Sequence, residues 1–393
     1  VNRTIIVGDI HLGKGVSVGK PGIGNAINSR VADQLRLLNW IFDQGVEYQI
    51  DRFIITGDIF EDVKPDPQLI VIFVDWLKRC EDSGIECHII AGNHDIRRTG
   101  DIYISVLDVV TAAGLSNTTI YKNIHTIHTD GVSFTLLPFR DRLSLGCETV
   151  NDALQKIGEK LPYELLDIPY NNIPVLVGHL ALVDSFYTTE LGDAANELMC
   201  PYSMFEGYEY VWMGHVHSPQ IMQKKPHVAH IGSMDLSDFG ECKQTKILIL
   251  FDPTQPHKEI PVPSRPLVRI KKDIGSGTDP TQFLLDLINK LDVKDAIISL
   301  EVKHLDPEGA EIDRDKVLSA LFDGGAYHVS RFSESRNVAV VPEDKKELLE
   351  YTVDPKSAIK LYADMLEYED EQERLSFLQF CEECVEEYYA KEK

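Results

Sequence analysis

Seven side chains able to hold divalent cations, and an eighth able to carry a proton, sit in five short blocks of this chain. The blocks are Gly8-Asp9-Ile10-His11, Gly57-Asp58, Gly92-Asn93-His94-Asp95, Gly178-His179 and Gly214-His215-Val216-His217. Two carboxylates, one amide and four imidazoles are too many donors for one ion. They suit two ions that share a bridging ligand, and Asp58, alone in its block, is the expected bridge. Two-metal sites with ions about 3.5–4 Å apart are typical of phosphoester hydrolysis. Attack on a phosphodiester needs hydroxide near neutral pH and loads extra charge onto the phosphate oxygens. Paired cations lower the pKa of a bound water and stabilise charge on the attacking and leaving oxygens. The donors are oxygen and nitrogen without cysteine, which favours Mn, Fe or Zn over a thiolate-type structural zinc. His94 is the spare imidazole. Beside Asn93 it must point differently, and an imidazole can pass a proton to a leaving oxygen or orient a phosphate. Asp95 either orients His94 or shapes the turn.

Such side chains need elements that bring them together. Ile5-Ile6-Val7, Phe53-Ile54-Ile55, Ile89-Ile90, Val175-Leu176-Val177 and Tyr210-Val211-Trp212-Met213 each precede one block. Each reads as a buried strand ending in a glycine turn. Sites in open α/β sheets lie at the carboxyl ends of strands, so this pattern sends all seven donors to one edge. One such block alone is an ordinary turn, since Asp is a common turn former; five in series, each after its own strand, are not. Arg30–Asp43 and Pro67–Asp82 read as helices, and a hairpin is expected around Asp130-Gly131. Two mixed sheets flanked by helices are the predicted layout. His88, His125, His128, His227 and His230 lie in or beside strand-like runs with no motif around them, which assigns them structural roles. The glycine-rich loop from Leu12 to Asn28 is not a phosphate-binding P-loop. Gly15-x-x-x-Gly19-Lys20-Pro21 has the wrong spacing and lacks Ser or Thr after the lysine. A lid or DNA-facing loop is expected there instead.

On these five blocks the chain resembles the calcineurin-like metallophosphoesterases, whose pattern is D-x-H, GD, GNH(D/E), GH and GHxH. Within that superfamily it resembles the SbcD-type nuclease branch, relatives of the eukaryotic MRN nuclease. Gly57-Asp58-Ile59-Phe60, the segment from Gly232-Ser233-Met234 to Phe239-Gly240-Glu241, and the run Ile260-Pro261-Val262-Pro263 with Arg265-Pro266 support this. The resemblance covers about residues 4–270 and implies a β-sandwich flanked by helices. It implies Asp9, His11, Asp58 and His217 on one ion, and Asp58, Asn93, His179 and His215 on the other. It also implies His94 as the catalytic histidine and two Mn²⁺ as cofactors, with Mg²⁺ or another divalent ion as the substitute. One position departs from the branch. Many members carry a second histidine three residues after the bridging aspartate, where this chain has Glu61 followed by Asp62. A carboxylate there would repel a phosphate unless turned away or metal-bound.

Three parts are expected: a nuclease domain over residues 1–262, an α+β cap that positions DNA over 263–341, and helices over 342–393. In the cap, Leu267–Lys272, Ala296–Val302 and Tyr327–Phe332 read as strands, with Thr281–Leu291 and Asp313–Phe322 as helices. In the last part Ile359, Tyr362, Ala363 and Leu366 form one apolar stripe, and Leu375, Phe377, Leu378, Cys381, Val385 and Tyr388 another. Such stripes need a surface to cover them. The resemblance implies that they bind an SbcC-like ATPase partner; packing on the cap is the alternative. A homodimer is also implied, with Pro67–Asp82 and a helix at Thr99–Ala112 as candidate faces or as core.

The formal charge of −24 over 393 residues argues against a self-sufficient DNA binder, because phosphate contacts need Lys and Arg. Residues 342–393 carry 16 acidic and 7 basic residues, a net of −9, which leaves −15 for the rest. Lys14, Lys20, Arg97 and Arg98 are candidate phosphate contacts. The seven scattered cysteines suit a reducing cytoplasm. With the first strand starting near residue 4, no signal peptide is expected, and no apolar run approaches a membrane span. A cytoplasmic protein is expected, nucleoid-associated, or in the host cytoplasm if viral. The expected protein is a Mn-dependent DNA phosphodiesterase; the resemblance implies both exonuclease and endonuclease action, in double-strand-break processing with the ATPase. The alternatives are a metallophosphatase of proteins or small phosphoesters, and a non-catalytic scaffold.

Overall fold

Ile5 and Val7 face one way from the strand Thr4–Val7 and Ile6 faces the other, and this alternation sets the layering. Ile5 and Val7 pack in one apolar layer with Leu37, Leu38 and Ile41 of the helix Ser29–Glu47. Phe73, Trp76 and Leu77 of the helix Pro67–Asp82 join the same layer. Ile6 enters a second layer with Ile54, Ile90, Phe134, Val177 and Trp212, between the two sheets. A third layer, with Leu137, Leu176 and Met213, covers the far sheet with Ile157 and Leu161 of the helix Val150–Leu166. Strands buried on both faces explain the near-continuous apolar runs in the sequence. The computed structural model describes residues 2–22, 27–99, 102–185, 198–306, 309–336 and 374–381.

The first sheet has the order Gln255–Pro261, Ile247–Asp252, Thr4–Val7, Arg52–Ile55, Glu86–Ile90, Thr118–Tyr121. Its last four strands run parallel and the first two pair antiparallel. The second has the order Gln220–Gln223, His227–His230, Tyr210–Met213, Ile173–Gly178, Val132–Leu137, His125–Thr129. Its four inner strands are parallel and its two edges antiparallel. The hairpin at Asp130-Gly131 is present, with Gly131 at φ 84°. The protein is thus an α/β sandwich of two mixed sheets flanked by helices, as its sequence implies.

A third sheet follows, with strands Leu267–Ile274, Ile297–His304 and His328–Arg336 and helices Pro280–Ile288 and Arg314–Asp323 between them. Its core holds Ile270, Leu284, Ile298, Leu300, Val317 and Leu321. The chain divides into two compact units, Val1–Lys303 with Ala310–Glu334, and His304–Gly309 with Ser335–Lys393. Within the first unit, Arg265 forks onto Asp33 at 2.8–3.1 Å, and Arg30, 1% exposed, holds Asp33 at 2.7 Å and Asp235 at 2.6 Å. This network ties the start of the third sheet to the first helix. In the second unit residues 374–381 are helical, which includes Leu375, Phe377, Leu378 and Cys381 of the expected stripe. The stripe at Ile359–Leu366, and Val385 and Tyr388, lie outside the described residues. Among the described residues no helix is long and apolar enough to cross a membrane.

The helix expected at Thr99–Ala112 is a correction. Ile96–Thr99 and Ile102–Ser105 form an antiparallel hairpin, and only Leu107–Ala112 is helical. The alternation Ile102-Tyr103-Ile104 favours extended backbone. The hydroxyl of Ser105 donates to the Asp95 carbonyl at 2.8 Å and accepts from Leu107 N–H at 3.2 Å, which delays the helix start. Arg97 and Arg98 lie on the first strand of this hairpin.

Candidate metal centre

All five blocks meet at the carboxyl ends of the parallel strands. The backbone turns sharply there: His11, Asp58 and His215 have φ of 48°, 47° and 77°, rare for residues with a side chain. Such strain clusters at sites where side-chain aim matters. Two glycines are required by proximity. A Cβ on Gly92 would lie 2.1 Å from Asp58 Oδ1, and one on Gly214 would lie 2.3 Å from Asp9 Oδ1. The bare backbone is what admits each carboxylate.

Six of the seven candidate donors fall into two close groups. Asp9, His11 and His217 bring one ligand atom each within 4.8 Å of one another, and so do Asp58, His179 and His215. Asn93 completes the second group, with Oδ1 2.9 Å from His179 Nε2 and 2.9 Å from His215 Nδ1. Asp58 Oδ2 lies 3.5 Å from His11 Nε2 and 3.3 Å from His179 Nε2, so a single oxygen faces both groups. Its other oxygen accepts from the His94 backbone N–H at 2.8 Å. His94 forms a further close group with His11 and Asp58, and its Nδ1 lies 2.6 Å from the Glu61 carbonyl.

The residues fit divalent cations on their own chemistry. His11 Nε2 and His217 Nε2 meet at 2.9 Å. The outer nitrogen of each faces a carboxylate: His11 Nδ1 lies 2.9 Å from Glu61 Oε2, and His217 Nδ1 makes a looser approach of 3.4 Å to Glu241 Oε1. Neither approach has hydrogen-bond geometry, so it is the convergence of the two Nε2 atoms, each carrying a lone pair when its ring is neutral and that nitrogen unprotonated, that suits a cation. His179 Nδ1 meets the Thr56 carbonyl at 2.9 Å, which turns Nε2 toward Asn93 and Asp58. In the protein alone a proton must fill that role. Burial opposes charge on His179, yet the Asp58 and Asp9 carboxylates raise its pKa well above the usual value. Burial also works to raise the Asp9 carboxyl, but His179 holds it at about 2, and Asp58 is likewise held well below the ordinary range. Burial pushes His11 down to about 4, so it stays neutral and able to ligate.

Glu61 is paired at the edge of the site. It is bound by Lys14 Nζ at 3.0 Å and faces His11, and these partners outweigh burial to hold its pKa at about 2. Asp95 accepts from Ile59 N–H and Gly92 N–H at 2.9 Å each, so it shapes the turn. Burial, with Asp58 near, pushes it up to about 7. Lys20 sits 4.2 Å over the ring of Tyr327, beside Arg265 at 3.8 Å from the same ring. His230 supports the last block, with Nδ1 3.0 Å from the Gly214 carbonyl.

Several residues around the site carry no signal in the sequence read for chemistry. Thr56 donates to Asp9 Oδ1 at 2.9 Å. Gln34 donates to the His11 carbonyl at 3.1 Å and accepts from Gly13 N–H at 2.9 Å. Lys246, fully buried, lies 3.2 Å from Glu241. Phe139 packs its ring 6.0 Å from that of His215 and 6.2 Å from that of His179. Of these supports, Glu241 alone belongs to a segment that the sequence singles out, the one after the fifth block.

The family model for calcineurin-like phosphoesterases matches residues 3–219. The chain belongs to this family, a class of phosphoesterases built around a pair of divalent metal ions. Among curated relatives it is similar to the SbcD component of the Escherichia coli nuclease SbcCD, 23% identical over 387 residues, covering 89% of this chain and 92% of that one. It is also similar to the DNA double-strand break repair protein Mre11 of Methanopyrus kandleri, 25% identical over 228 residues, covering 56% of this chain and 46% of that one. Among solved structures, a dimetal phosphatase from Danio rerio aligns with a TM-score of 0.39 at 10% identity, covering 67% of this chain and 99% of that one.

Proposed function

We propose that the protein is a Mn²⁺-dependent DNA phosphodiesterase, with exonuclease and endonuclease action, working beside an SbcC-like ATPase in double-strand-break processing. The observation that carries this reading is the pair of donor groups that share Asp58 Oδ2, with His94 alongside. Asp9, His11, Asp58 and His217 would hold one ion; Asp58, Asn93, His179 and His215 would hold the other. Bound there, two cations would supply Lewis acidity for activating water and for offsetting charge on the phosphate oxygens. His94 is the catalytic residue. Its Nδ1 is engaged by the Glu61 carbonyl, so Nε2 is the atom left to deliver a proton to the departing sugar oxygen. The ion pair with Lys14 offsets the repulsion that the Glu61 carboxylate would offer a phosphate. The printed names of the two curated relatives, a nuclease subunit and a DNA double-strand break repair protein, support DNA as substrate and a second subunit as partner. The acidic balance supports that partner as the source of much of the DNA affinity. A cytoplasmic, nucleoid-associated homodimer completes the reading.

The discriminating test compares a phosphodiester with a phosphomonoester. With Mn²⁺, the purified chain should hydrolyse a bis-ester chromogen and duplex DNA far faster than the matching monoester. Faster turnover of the monoester, with no cutting of DNA, would replace the nuclease reading with a phosphatase.

A further inference from the structure

The backbone from His11 to Lys14 turns sharply between two anchors. His11 and Gly13 are both left-handed, with φ of 48° and 95°. On one side the turn is tied to the second block. The N–H groups of His11 and Leu12 donate to the carbonyls of Asp58 and Ile59 at 2.7 and 2.9 Å. On the other side a side chain from the helix Ser29–Glu47 grips it: Gln34, 2% exposed. The Gln34 amide nitrogen donates to the His11 and Lys14 carbonyls at 3.1 Å each, and its amide oxygen accepts from the Gly13 N–H at 2.9 Å. Both amide protons and the oxygen are thus used. A carboxylate would bring no proton to those carbonyls, and an ammonium no acceptor to that N–H, so an amide is the group that fits. Left-handed backbone at a residue with a side chain persists only where its surroundings over-determine it.

We propose that Gln34 is a positioning residue for the metal centre: by fixing the turn at His11 it aims that imidazole at His217 and Asp58. This rests on the two-ion reading above. His11 Nε2 lies 2.9 Å from His217 Nε2 and 3.5 Å from Asp58 Oδ2, and this convergence is what a cation would meet. The three hydrogen bonds of Gln34 reach main chain, so it acts through the backbone from which the ring hangs. A small rotation at residue 11 is magnified at the far end of the imidazole. The same grip holds Lys14, whose ammonium pairs with Glu61 at 3.0 Å. Gln34 lies outside the five blocks and 23 residues from His11, so no local pattern marks it.

The test is a double-mutant cycle on Mn²⁺ binding to the full chain, read from the electron paramagnetic resonance of free Mn²⁺ during titration. The wild type should bind two ions. Gln34→Met, of similar length but without the amide, should weaken the binding of at least one ion by about 10–100-fold, the usual cost of losing a group that orients a metal ligand. Gln34→Glu keeps the shape but brings at most one proton to two carbonyls, and should also weaken binding. On a His11→Ala background Gln34→Met should cost nothing further, because the ligand it aims is gone. Should Gln34→Met fail to fold, Gln34→Glu carries the same cycle. An equal loss on the His11→Ala background would assign Gln34 to the fold at large and overturn the inference. Wild-type affinity in both Gln34 variants would overturn it too, and either result leaves the two-ion reading intact. A wild type that binds no Mn²⁺ would overturn both.

Discussion

Single residues decide what this site can do, and several are held by partners far away in sequence. The donors were legible because metal chemistry restricts the residue types and each follows its own strand; the structure brings Asp9, His11, Asp58, Asn93, His179, His215 and His217 together. The direction of Glu61 was not legible, because Lys14, its partner, lies 47 residues away. Away from the site, Asp252 shows the same reliance on partners. Burial works to raise its pKa, but Thr254, Arg3 and Gln255 donate to it and hold it at about 2. A carboxylate whose pKa falls on folding stabilises fully above its ordinary pKa, and that stability is lost as pH drops through the folded value. Asp252→Asn should therefore melt a few degrees below wild type near pH 7. The gap should narrow below about pH 4 and keep closing toward pH 2. A scan of melting temperature against pH checks this; a gap constant across the range would contradict it.

At the scale of elements, the strand ends are the working parts. Parallel strands from two sheets deliver their carboxyl ends to one place, and left-handed backbone at His11, Asp58 and His215 turns the side chains inward. The strands were readable from apolar β-branched runs, and the helices Ser29–Glu47 and Pro67–Asp82 from their apolar periodicity. The hairpin of Ile96–Thr99 with Ile102–Ser105 reads as helix in the sequence because its strands are short and run directly into a true helix. A hydrogen bond from Ser105 back to Asp95 fixes that boundary, and no local pattern announces it. Glycine at the strand ends carries a sharper prediction. Gly214→Ala places a methyl within 2.3 Å of the Asp9 carboxylate and 2.4 Å of the Thr56 hydroxyl. The variant should bind fewer metal ions per chain and lose about 1–3 kcal/mol of stability, the usual cost of overpacking. Elemental analysis with a denaturant titration reads both. Full metal content at wild-type stability would show that the strand end yields more easily than its contacts indicate.

At the scale of the whole molecule, the sandwich and the third sheet join through buried charge. Arg265 and Arg30 share Asp33, and Tyr327 is flanked by Lys20 and Arg265. The run Ile260 to Pro266 marked this junction in the sequence, but its partners on the first helix were invisible to local reading. Arg265→Ala leaves Asp33 with Arg30 and the looser Arg36 at 4.0 Å, and should cost about 1–3 kcal/mol. Amide exchange should rise in Leu267–Ile274 more than in Thr4–Val7. Uniform exchange across both strands would mean that the third sheet is held by its apolar contacts alone. Cleavage of DNA by a pair of metal ions with help from His94 can be read in a single experiment. End-labelled duplex DNA is incubated with the purified chain in Mn²⁺, in Mg²⁺ and in chelator, beside His94→Ala, with the metal content of each protein determined. Cutting should require Mn²⁺ and be abolished by chelator. His94→Ala should lower it by about 10²–10⁴-fold, as expected for loss of a general acid, while still holding two ions. Cutting by His94→Ala at the wild-type rate, or cutting that survives the chelator, would contradict it.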